Sequence, residues 1–278
     1  MTPMNIAIIG LGLIGGSLAK TVKAKTPHVV YGYDISATGV HQALASGAVD
    51  FTPDGDYSDI DLILVALCPF DAVAFMRENI ARFKPGSTVV DMCGVKRCVC
   101  RDARDIFENS GVTFIGGHPM AGKENSGFAS AAADLFNGAS MILTPFIDTP
   151  ADKLAAARDF FLSLGFGGVT VTTPERHDEI IAYTSQLAHI VSGAYVKSPL
   201  AQNHMGFSAG SFKDMTRVAK LNEDMWSELF LANGDFLIRQ IDLIIQNLAD
   251  FRDAIDQNDR DVLRTLLAKG REIKEELE

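Results

Sequence analysis

The chain has 278 residues, of which 47% are hydrophobic and 22% are charged, a balance typical of a globular protein with a sizeable core. Its formal net charge of −10 disfavours a general affinity for nucleic acid or for anionic membranes. No apolar run is long enough to span a bilayer, and the N-terminus has no basic segment or cleavage site of a signal peptide, so we expect a cytoplasmic protein.

Short apolar runs alternate with helical stretches through the first 172 residues. This alternation predicts an α/β fold with a Rossmann-type, doubly wound sheet, because parallel strands joined by helices are buried on both faces. We place strands at Asn5–Gly10, Val29–Asp34, Asp61–Leu67, Thr88–Met92, Val112–Gly116, Ser140–Thr144 and Gly168–Thr172.

A glycine-rich turn follows the first predicted strand and opens a helix. Gly10, Gly12 and Gly15 form a G-x-G-x-x-G pattern within "IAIIGLGLIGGSLAK". Gly10 permits the tight turn, Gly12 lets a pyrophosphate approach the backbone, and Gly15 lets the helix pack closely on the strand. Together with Leu13 and Ile14 at the helix start, where backbone N–H groups are free, they predict a dinucleotide-binding loop.

The second predicted strand, "VVYGYD", ends in Asp34, close to the spacing expected for the acid that binds the cofactor ribose. A carboxylate there accepts hydrogen bonds from both ribose hydroxyls and repels a 2′-phosphate, so we expect NAD rather than NADP. The alternative is a plain glycine turn beside a surface aspartate. The order of strand, glycines, helix, second strand and acid favours the cofactor site.

The four cysteines are Cys68, Cys93, Cys98 and Cys100, and no C-x-x-C pair occurs among them. Three of them lie close together in the chain, but no second cluster completes a metal site. We therefore expect reduced thiols and no bound metal.

The stretch "IGGHPMAGKENSG" places His118 between a Gly-Gly pair and Pro119, just after the predicted strand Val112–Gly116. The proline is expected to stop strand pairing and to hold His118 in an extended backbone conformation. Ligands of open α/β sheets bind beyond the carboxyl ends of the strands, where a histidine can act as a general base. The alternative on this stretch alone is a surface histidine in a turn.

The pattern changes at Thr173 and Pro174, where a threonine cap and a proline predict the start of a long helix. We find no convincing strand from there to Glu278. This division predicts a dinucleotide-binding domain at 1–172 and a helical, substrate-binding domain at 173–278. The helical half is expected to form a homodimer, because its last part carries apolar residues at helical spacing that need a partner: Phe236, Ile241, Ile244, Ile245, Leu248, Phe251 and Ile255.

The helix that starts at Pro174 has an apolar side, formed by Ile180, Tyr183, Leu187, Val191 and Ala194. Its other side carries Ser185, His189 and Ser192, which are polar but short and uncharged, so we expect this side to face a cleft rather than solvent. Arg217 further along is, from its type alone, more often a surface ion-pair residue.

Six motifs together resemble the prephenate/arogenate dehydrogenase family of tyrosine biosynthesis: the glycine loop, "GGHPMAGKENSG", "DLFNG…LTP", "SQLAHIVS", "GSFKDMTRVA" and "DMWSELFLAN". The resemblance covers nearly the whole chain. It implies an NAD-dependent oxidative decarboxylation that converts prephenate to 4-hydroxyphenylpyruvate, carbon dioxide and NADH. It also implies that His118 removes the proton of the ring hydroxyl, that His189 binds the substrate, and that Arg217 binds a substrate carboxylate.

One motif departs from the family, which commonly has a serine in a D-x-x-S-V-K segment. This chain reads "DMCGVK", so Gly94 stands at the serine position, while Lys96 is retained. The serine hydroxyl helps to hold the catalytic histidine and the substrate hydroxyl, so water, a backbone N–H or another hydroxyl would have to replace it. We also expect no separate regulatory domain in these 278 residues, so that any inhibition by tyrosine acts at the active site.

Three alternatives to a prephenate dehydrogenase stay open. An arogenate or dual-specificity cyclohexadienyl dehydrogenase would differ in one or two pocket residues. A β-hydroxyacid dehydrogenase would share the glycine loop but would usually rely on a lysine in its helical domain. A non-catalytic NAD-binding sensor would need the glycines but neither His118 nor Arg217.

Overall fold

The computed structural model describes residues 2–123 and 125–277. Its first part forms one seven-stranded sheet with the spatial order β2-β1-β3-β4-β5-β6-β7, which confirms the predicted Rossmann-type α/β fold. The strands are β1 (Asn5–Ile9), β2 (Val29–Tyr33), β3 (Leu62–Val65), β4 (Thr88–Asp91), β5 (Thr113–Pro119), β6 (Ser140–Pro145) and β7 (Gly168–Val171).

Eleven α-helices occur in the described residues. Five of them connect strands of the sheet: α1 (Leu13–Lys25), α2 (Ala37–Ala45), α3 (Pro69–Asn79), α4 (Arg97–Phe107) and α5 (Ala151–Ser163). The other six follow the last strand: α6 (Pro174–Ile181), α7 (Ala188–Tyr195), α8 (Gly210–Thr216), α9 (Glu223–Ala232), α10 (Gly234–Asp256) and α11 (Arg260–Glu276). No described helix is both long and apolar enough to cross a membrane.

The sheet is buried on both faces, as the apolar strands predict. Ile6 and Ile8 of β1 belong to the core on one face, whereas Ala7 and Ile9 belong to the core on the other. Alternate side chains of a strand point to opposite faces, so a strand that is apolar throughout fits only between two helical layers.

The first five strands are parallel, and β6 then runs antiparallel to β5. This reversal corrects the expectation that Pro119 stops strand pairing after Gly116. The strand continues through His118 and Pro119, which lie opposite Ile142 and Met141 of β6. Because the β4 ladder pairs with β5 only as far as Ile115, the last residues of β5 have a strand partner only in β6.

The helical part begins as predicted. Thr173 caps α6, since its hydroxyl accepts the N–H of Arg176 at 3.2 Å, and Pro174 is the first helical residue. Its own buried apolar core is small and centres on Ala182, Leu187 and Leu237. Such a core covers little of the apolar surface of α10 and α11.

The predicted long helix from Pro174 is not regular. Residues 182–187 form a π-helical segment between α6 and α7, which shifts the faces of the helix. As a result Tyr183, assigned to the apolar side, is exposed, and Gln186 is buried instead. Ser192, assigned to a cleft-facing side, is buried and donates its hydroxyl to the carbonyl of Met215 at 2.7 Å.

Candidate active site

The glycine loop joins β1 to α1 at the carboxyl edge of the sheet. Gly10 has a φ of +88°, and a Cβ there would collide with the carbonyl of Ala66, so only glycine fits. A Cβ on Gly15 would collide with the carbonyl of Gly10, whereas a Cβ on Gly12 would meet no protein atom within 4 Å. Packing within the protein therefore explains why positions 10 and 15 are glycine. At Gly12 the protein leaves open space, which a ligand can occupy.

The N-terminus of α1 is equally open. No side chain caps it, and its first turn holds no acidic residue. Leu13 and Ile14 form this first turn, so their N–H groups belong to the unpaired donors of the helix start. These donors and the helix dipole suit an anionic group such as a pyrophosphate.

Asp34 follows β2 and lies beside the glycine loop. Its carboxylate accepts the N–H of Leu11 at 2.6 Å and the N–H of Ser36 at 2.8 Å. Each bond occupies one oxygen, and a carboxylate oxygen has a second lone pair. The carboxylate is thus fixed in orientation and still able to accept hydrogen bonds from a diol.

His118 lies at the same edge of the sheet. Parallel strands β1, β3, β4 and β5 are neighbours, so β5 is three strand spacings, about 14 Å, from the strand that ends in the glycine loop. His118 is half-buried. The sheet thus arranges the glycine loop and His118 along one edge.

A buried ion pair supports the backbone next to His118. Lys96 and Asp91 are both fully buried, and their side chains form a salt bridge. The Asp91 carboxylate also accepts the N–H of Gly117 at 3.2 Å and that of Cys93 at 3.0 Å. Burial alone would lower the pKa of Lys96, but the carboxylate of Asp91 raises it, so the lysine is charged. Lys96, to which the sequence assigns no role, anchors the end of β4 to β5.

The side chain of His118 is held by two residues of α6. His118 Nδ1 lies 2.9 Å from His177 Nε2, and His177 Nδ1 lies 2.7 Å from Asp178 Oδ1. Asp178 also accepts the backbone N–H groups of Lys96 at 2.7 Å and Arg97 at 2.9 Å. The three side chains form a continuous hydrogen-bonded row from the sheet into the helical part.

Both histidines are kept neutral by their surroundings. Burial, followed by the neighbouring imidazole of His177 and the positive charge of Lys96, holds the pKa of His118 well below 6.5. Burial also lowers the pKa of His177, against the opposing effect of Asp178. Burial raises the pKa of Asp178, but the hydrogen bonds from His177 and from the backbone outweigh it and lower the pKa overall. Asp178 is therefore a carboxylate.

Gly94 faces the other side of the His118 ring. A Cβ built on Gly94 would lie 4.0 Å from His118 Nε2 and 3.4 Å from Leu229 Cδ2. A serine hydroxyl at this position would therefore come within reach of Nε2, as the family motif implies. In this chain, the nearest side chain on that side of Gly94 is the apolar Leu229.

His189 and Arg217 lie together in the helical part. His189 Nδ1 donates to the carbonyl of Val218 at 2.9 Å, which leaves Nε2 as an acceptor. Its ring packs on Trp226 with centroids 4.0 Å apart. Arg217 is exposed and directly precedes Val218. The His189 ring thus bonds the residue that directly follows Arg217.

Helix α9 connects the two groups of residues. Leu229 packs beside Gly94, and Trp226, one turn earlier on the same face, packs on His189. Glu228 of the same helix accepts the N–H of Phe70, at the start of α3, at 2.8 Å. The helix therefore brings the His189 and Arg217 region close to the carboxyl edge of the sheet.

The sequence gives little indication of the residues behind His118. His177 and Asp178 occur in "PERHDEII", whose charges read as those of a solvent-exposed first helical turn. The one sequence feature that points to them is that a histidine and an aspartate stand next to each other near a capped helix start. Trp226 lies within a family motif, but the motif does not predict its contact with His189.

The cysteines show no reactive or metal-binding arrangement. Burial raises the pKa of the Cys93 thiol well above its usual value and that of Cys100 to about 12. Within residues 2–123 and 125–277, no three His, Cys, Asp or Glu side chains are grouped as metal ligands would be.

Two family models match the chain. Residues 18–170 match the prephenate dehydrogenase nucleotide-binding domain, and residues 173–269 match the prephenate dehydrogenase dimerization domain.

Individual relatives agree with these matches. A cyclohexadienyl dehydrogenase of Zymomonas mobilis is 36% identical over 93% of this chain and 91% of its own length. A prephenate dehydrogenase of Bacillus subtilis is 30% identical over 93% of this chain and 72% of its own length. The crystal structure of A. aeolicus prephenate dehydrogenase with hydroxyphenyl propionate and NAD+ superposes with a TM-score of 0.89 at 26% identity, over 100% of this chain and 99% of the other.

Proposed function

The chain belongs to the prephenate dehydrogenase family, and from that premise we propose that it converts prephenate and NAD to 4-hydroxyphenylpyruvate, carbon dioxide and NADH. The observation that carries the proposal is the position of His118, at the carboxyl edge of the sheet that also bears the glycine loop. Its Nδ1 is engaged within the protein, and its Nε2 faces Gly94, 4.0 Å from where a Cβ of that residue would lie.

In this proposal the residues of the glycine loop bind the cofactor. Gly12 and the uncapped start of α1, with Leu13 and Ile14, receive the pyrophosphate, and the packed glycines Gly10 and Gly15 shape the turn. Asp34 accepts the ribose hydroxyls. The open space at Gly12 supports this fit, because no protein atom lies close enough to require glycine at that position. NAD, when bound, supplies the hydride acceptor.

His118 is the catalytic residue of the proposed reaction. Its neutral Nε2 takes the proton of the ring hydroxyl whose carbon loses hydride. His189 accepts a hydrogen bond from the substrate through Nε2, and Arg217 binds a substrate carboxylate through its guanidinium. Loss of the ring carboxylate as carbon dioxide leaves an aromatic ring, which makes the step effectively irreversible. The protein therefore needs only to position the ring and to remove one proton.

A second candidate substrate is arogenate, in which an amino acid replaces the keto acid of prephenate. The Zymomonas relative, named a cyclohexadienyl dehydrogenase, favours this broader specificity. We also propose a homodimer, because residues 173–269 match a dimerization domain and several long apolar side chains of α10 are exposed. The division at residue 172 and the cytoplasmic location stay predictions.

The test is to follow NADH production by the purified protein with prephenate and with arogenate in turn. We expect turnover of prephenate with NAD, and turnover slower by about 10²–10⁴ with the His118→Asn variant. Turnover of arogenate alone would replace the proposed substrate with the second candidate. NAD binding without turnover of either compound would favour a non-catalytic sensor and would overturn the proposal.

A further inference from the structure

The buried row behind His118 determines which ring nitrogens carry protons. Asp178 is a carboxylate that already accepts two backbone N–H groups, from Lys96 and Arg97. A carboxylate offers only acceptors, so His177 Nδ1, at 2.7 Å from Asp178 Oδ1, must be the donor of that bond.

The next bond follows from the first. A neutral imidazole with its proton on Nδ1 has a lone pair on Nε2. His177 Nε2 is therefore an acceptor, and its partner at 2.9 Å, His118 Nδ1, must donate. With its proton on Nδ1, neutral His118 has its lone pair on Nε2, the nitrogen that adjoins Gly94.

We infer that His177 and Asp178 are positioning residues that hold His118 in the tautomer whose Nε2 accepts the substrate proton. This inference rests on the proposed function of His118 as the base. The carboxylate acts through two imidazole rings rather than one, and its role resembles that of the aspartate in a serine protease triad. Neither residue touches the reacting atoms.

The surroundings of the row favour the same proton arrangement. Burial disfavours a positive charge on His177, and the charge of Lys96 adds to this effect, although Asp178 and Asp91 oppose it. The cations themselves are paired, Lys96 with Asp91 and Arg97 with Asp178 and Asp235. When His118 Nε2 takes up the substrate proton, the new imidazolium keeps its Nδ1–H directed at the lone pair of His177.

The row also crosses between the two parts of the chain. His118 belongs to β5, whereas His177 and Asp178 belong to α6, which is fixed by the capping hydroxyl of Thr173. Asn233 donates to the carbonyl of Asp178 at 2.8 Å and so ties α6 to the start of α10. The orientation of the base therefore depends on how the helical part docks on the sheet.

A direct test is ¹⁵N NMR of the free protein labelled at histidine, because the ¹⁵N shifts distinguish a protonated ring nitrogen from one with a lone pair. We expect His118 in the wild type to carry its proton on Nδ1. A wild-type protein with the His118 proton on Nε2 at neutral pH would overturn the inference. This measurement needs neither substrate nor turnover, so it is decided independently of the proposed function.

Two variants of His177 form a matched pair. The amide oxygen in His177→Gln reaches about the position of Nε2 and can still accept from His118 Nδ1, whereas His177→Leu fills similar space without an acceptor. We expect His177→Gln to retain the Nδ1–H tautomer and activity within about tenfold of the wild type. We expect His177→Leu to lose the tautomer preference and to lower kcat by roughly 10²–10³, within the range typical of a disabled general base.

The two variants also separate positioning from a merely structural role. A structural role would lower the melting temperature or NAD affinity of both variants without changing the His118 tautomer. Equal kcat for His177→Leu and the wild type, at saturating NAD, would overturn the inference. If His177→Leu does not fold, the wild-type tautomer and the kcat of His177→Gln still decide it.

Discussion

His118 is half-buried, yet in the proposed mechanism its outer nitrogen takes a proton from the substrate. Burial holds its pKa well below 6.5, so the ring is neutral at physiological pH. A general base works only in its neutral form, so activity should persist through mildly acidic pH. It should be lost only as the pH falls through this lowered pKa.

The His118→Asn variant tests this assignment. The shorter amide can donate to His177 in place of Nδ1 but has no atom at Nε2, so the buried contact is kept and the base is removed. We expect kcat to fall by about 10²–10⁴ and the acid limb of the kcat/KM profile to disappear. An acid limb that remains at the same pH in the variant would assign it to another group.

Gly94 is a second residue for which a single substitution should change activity, because it lies next to the His118 ring. Its hypothetical Cβ has ordinary contacts with Leu229 and lies 4.0 Å from His118 Nε2, so serine fits without displacement of the backbone. We expect Gly94→Ser to raise kcat/KM by roughly two- to tenfold, the value of one added hydrogen bond of about 0.5–1.5 kcal/mol. Gly94→Ala is the control, since it adds the same Cβ without the hydroxyl. Equal kcat/KM in the two variants would show that the hydroxyl has no role.

At the scale of the secondary-structure elements, the turn between β1 and α1 and the end of β2 form one unit, because Asp34 accepts the N–H of Leu11 in that turn. In the proposed function this unit would bind both the pyrophosphate and the ribose without any residue from the helical part. We therefore expect substitutions in this unit to change the choice between NAD and NADP without disturbing the substrate residues.

Replacing Asp34 with serine tests this element. Removal of the carboxylate loses hydrogen bonds to the ribose and the repulsion of a 2′-phosphate, so we expect KM for NAD to rise roughly 10- to 100-fold. The ratio of kcat/KM for NAD to that for NADP should fall in parallel. Asp105→Ser, at an exposed site on α4, is the charge-matched control and should leave the ratio unchanged. A wild-type protein that used both cofactors equally well would contradict the assignment of Asp34.

At the scale of the whole molecule, the two parts bury their apolar surface differently. The sheet has a large core on each face, whereas the helical part has a small one. Along α10, Ile238, Ile245, Leu248 and Ile255 each expose between 57% and 64% of their surface, and they repeat at helical spacing. An exposed apolar stripe of this kind is stabilised when another surface covers it. We propose that a second copy of the chain provides that surface.

Charge on this stripe should break the dimer. We expect light scattering to give a dimer for the wild type and a monomer for the Ile245→Glu, Leu248→Glu double variant, because an obligate interface of about 2,000 Å² or more tolerates no unpaired charge at its centre. Ile147→Glu is the control, since Ile147 is 99% exposed yet lies outside the helical part. A wild-type monomer at micromolar concentration would contradict the proposal.

The stability of the molecule should depend on pH through its buried histidines. The pKa values of His118 and His177 are lowered in the folded protein, so below about 6.5 the unfolded chain binds more protons than the folded one. The free energy of unfolding should therefore fall between pH 7.5 and 5.5, by up to about 1.4 kcal/mol per pH unit for each group. Denaturant unfolding at fixed protein concentration measures this slope. The change in unfolding free energy with pH should be smaller in His118→Asn. It should be unchanged in the control variant His41→Gln, because His41 is exposed.

Features encoded within a few neighbouring residues could be predicted from the sequence by itself. The strand pattern, the glycine turn with Asp34, the helix start at Thr173 and Pro174, and the family motifs around His118 all depend on local spacing. Strand ends were placed within a few residues, because apolar runs and turn residues define them. Each of these features can be predicted from the order of neighbouring residues along the chain.

Only the tertiary structure decided what surrounds His118. The antiparallel partner of β5 comes from a strand more than twenty residues later, and it extends β5 beyond the proline that was expected to end the pairing. The π-helical segment moved Gln186 inward and Tyr183 outward, which no regular helical period predicts. His177 and Asp178 lie 59 and 60 residues from His118, and charged residues in a first helical turn normally face water. Their burial behind His118 follows from docking two separately patterned parts of the chain, a contact that local spacing does not encode.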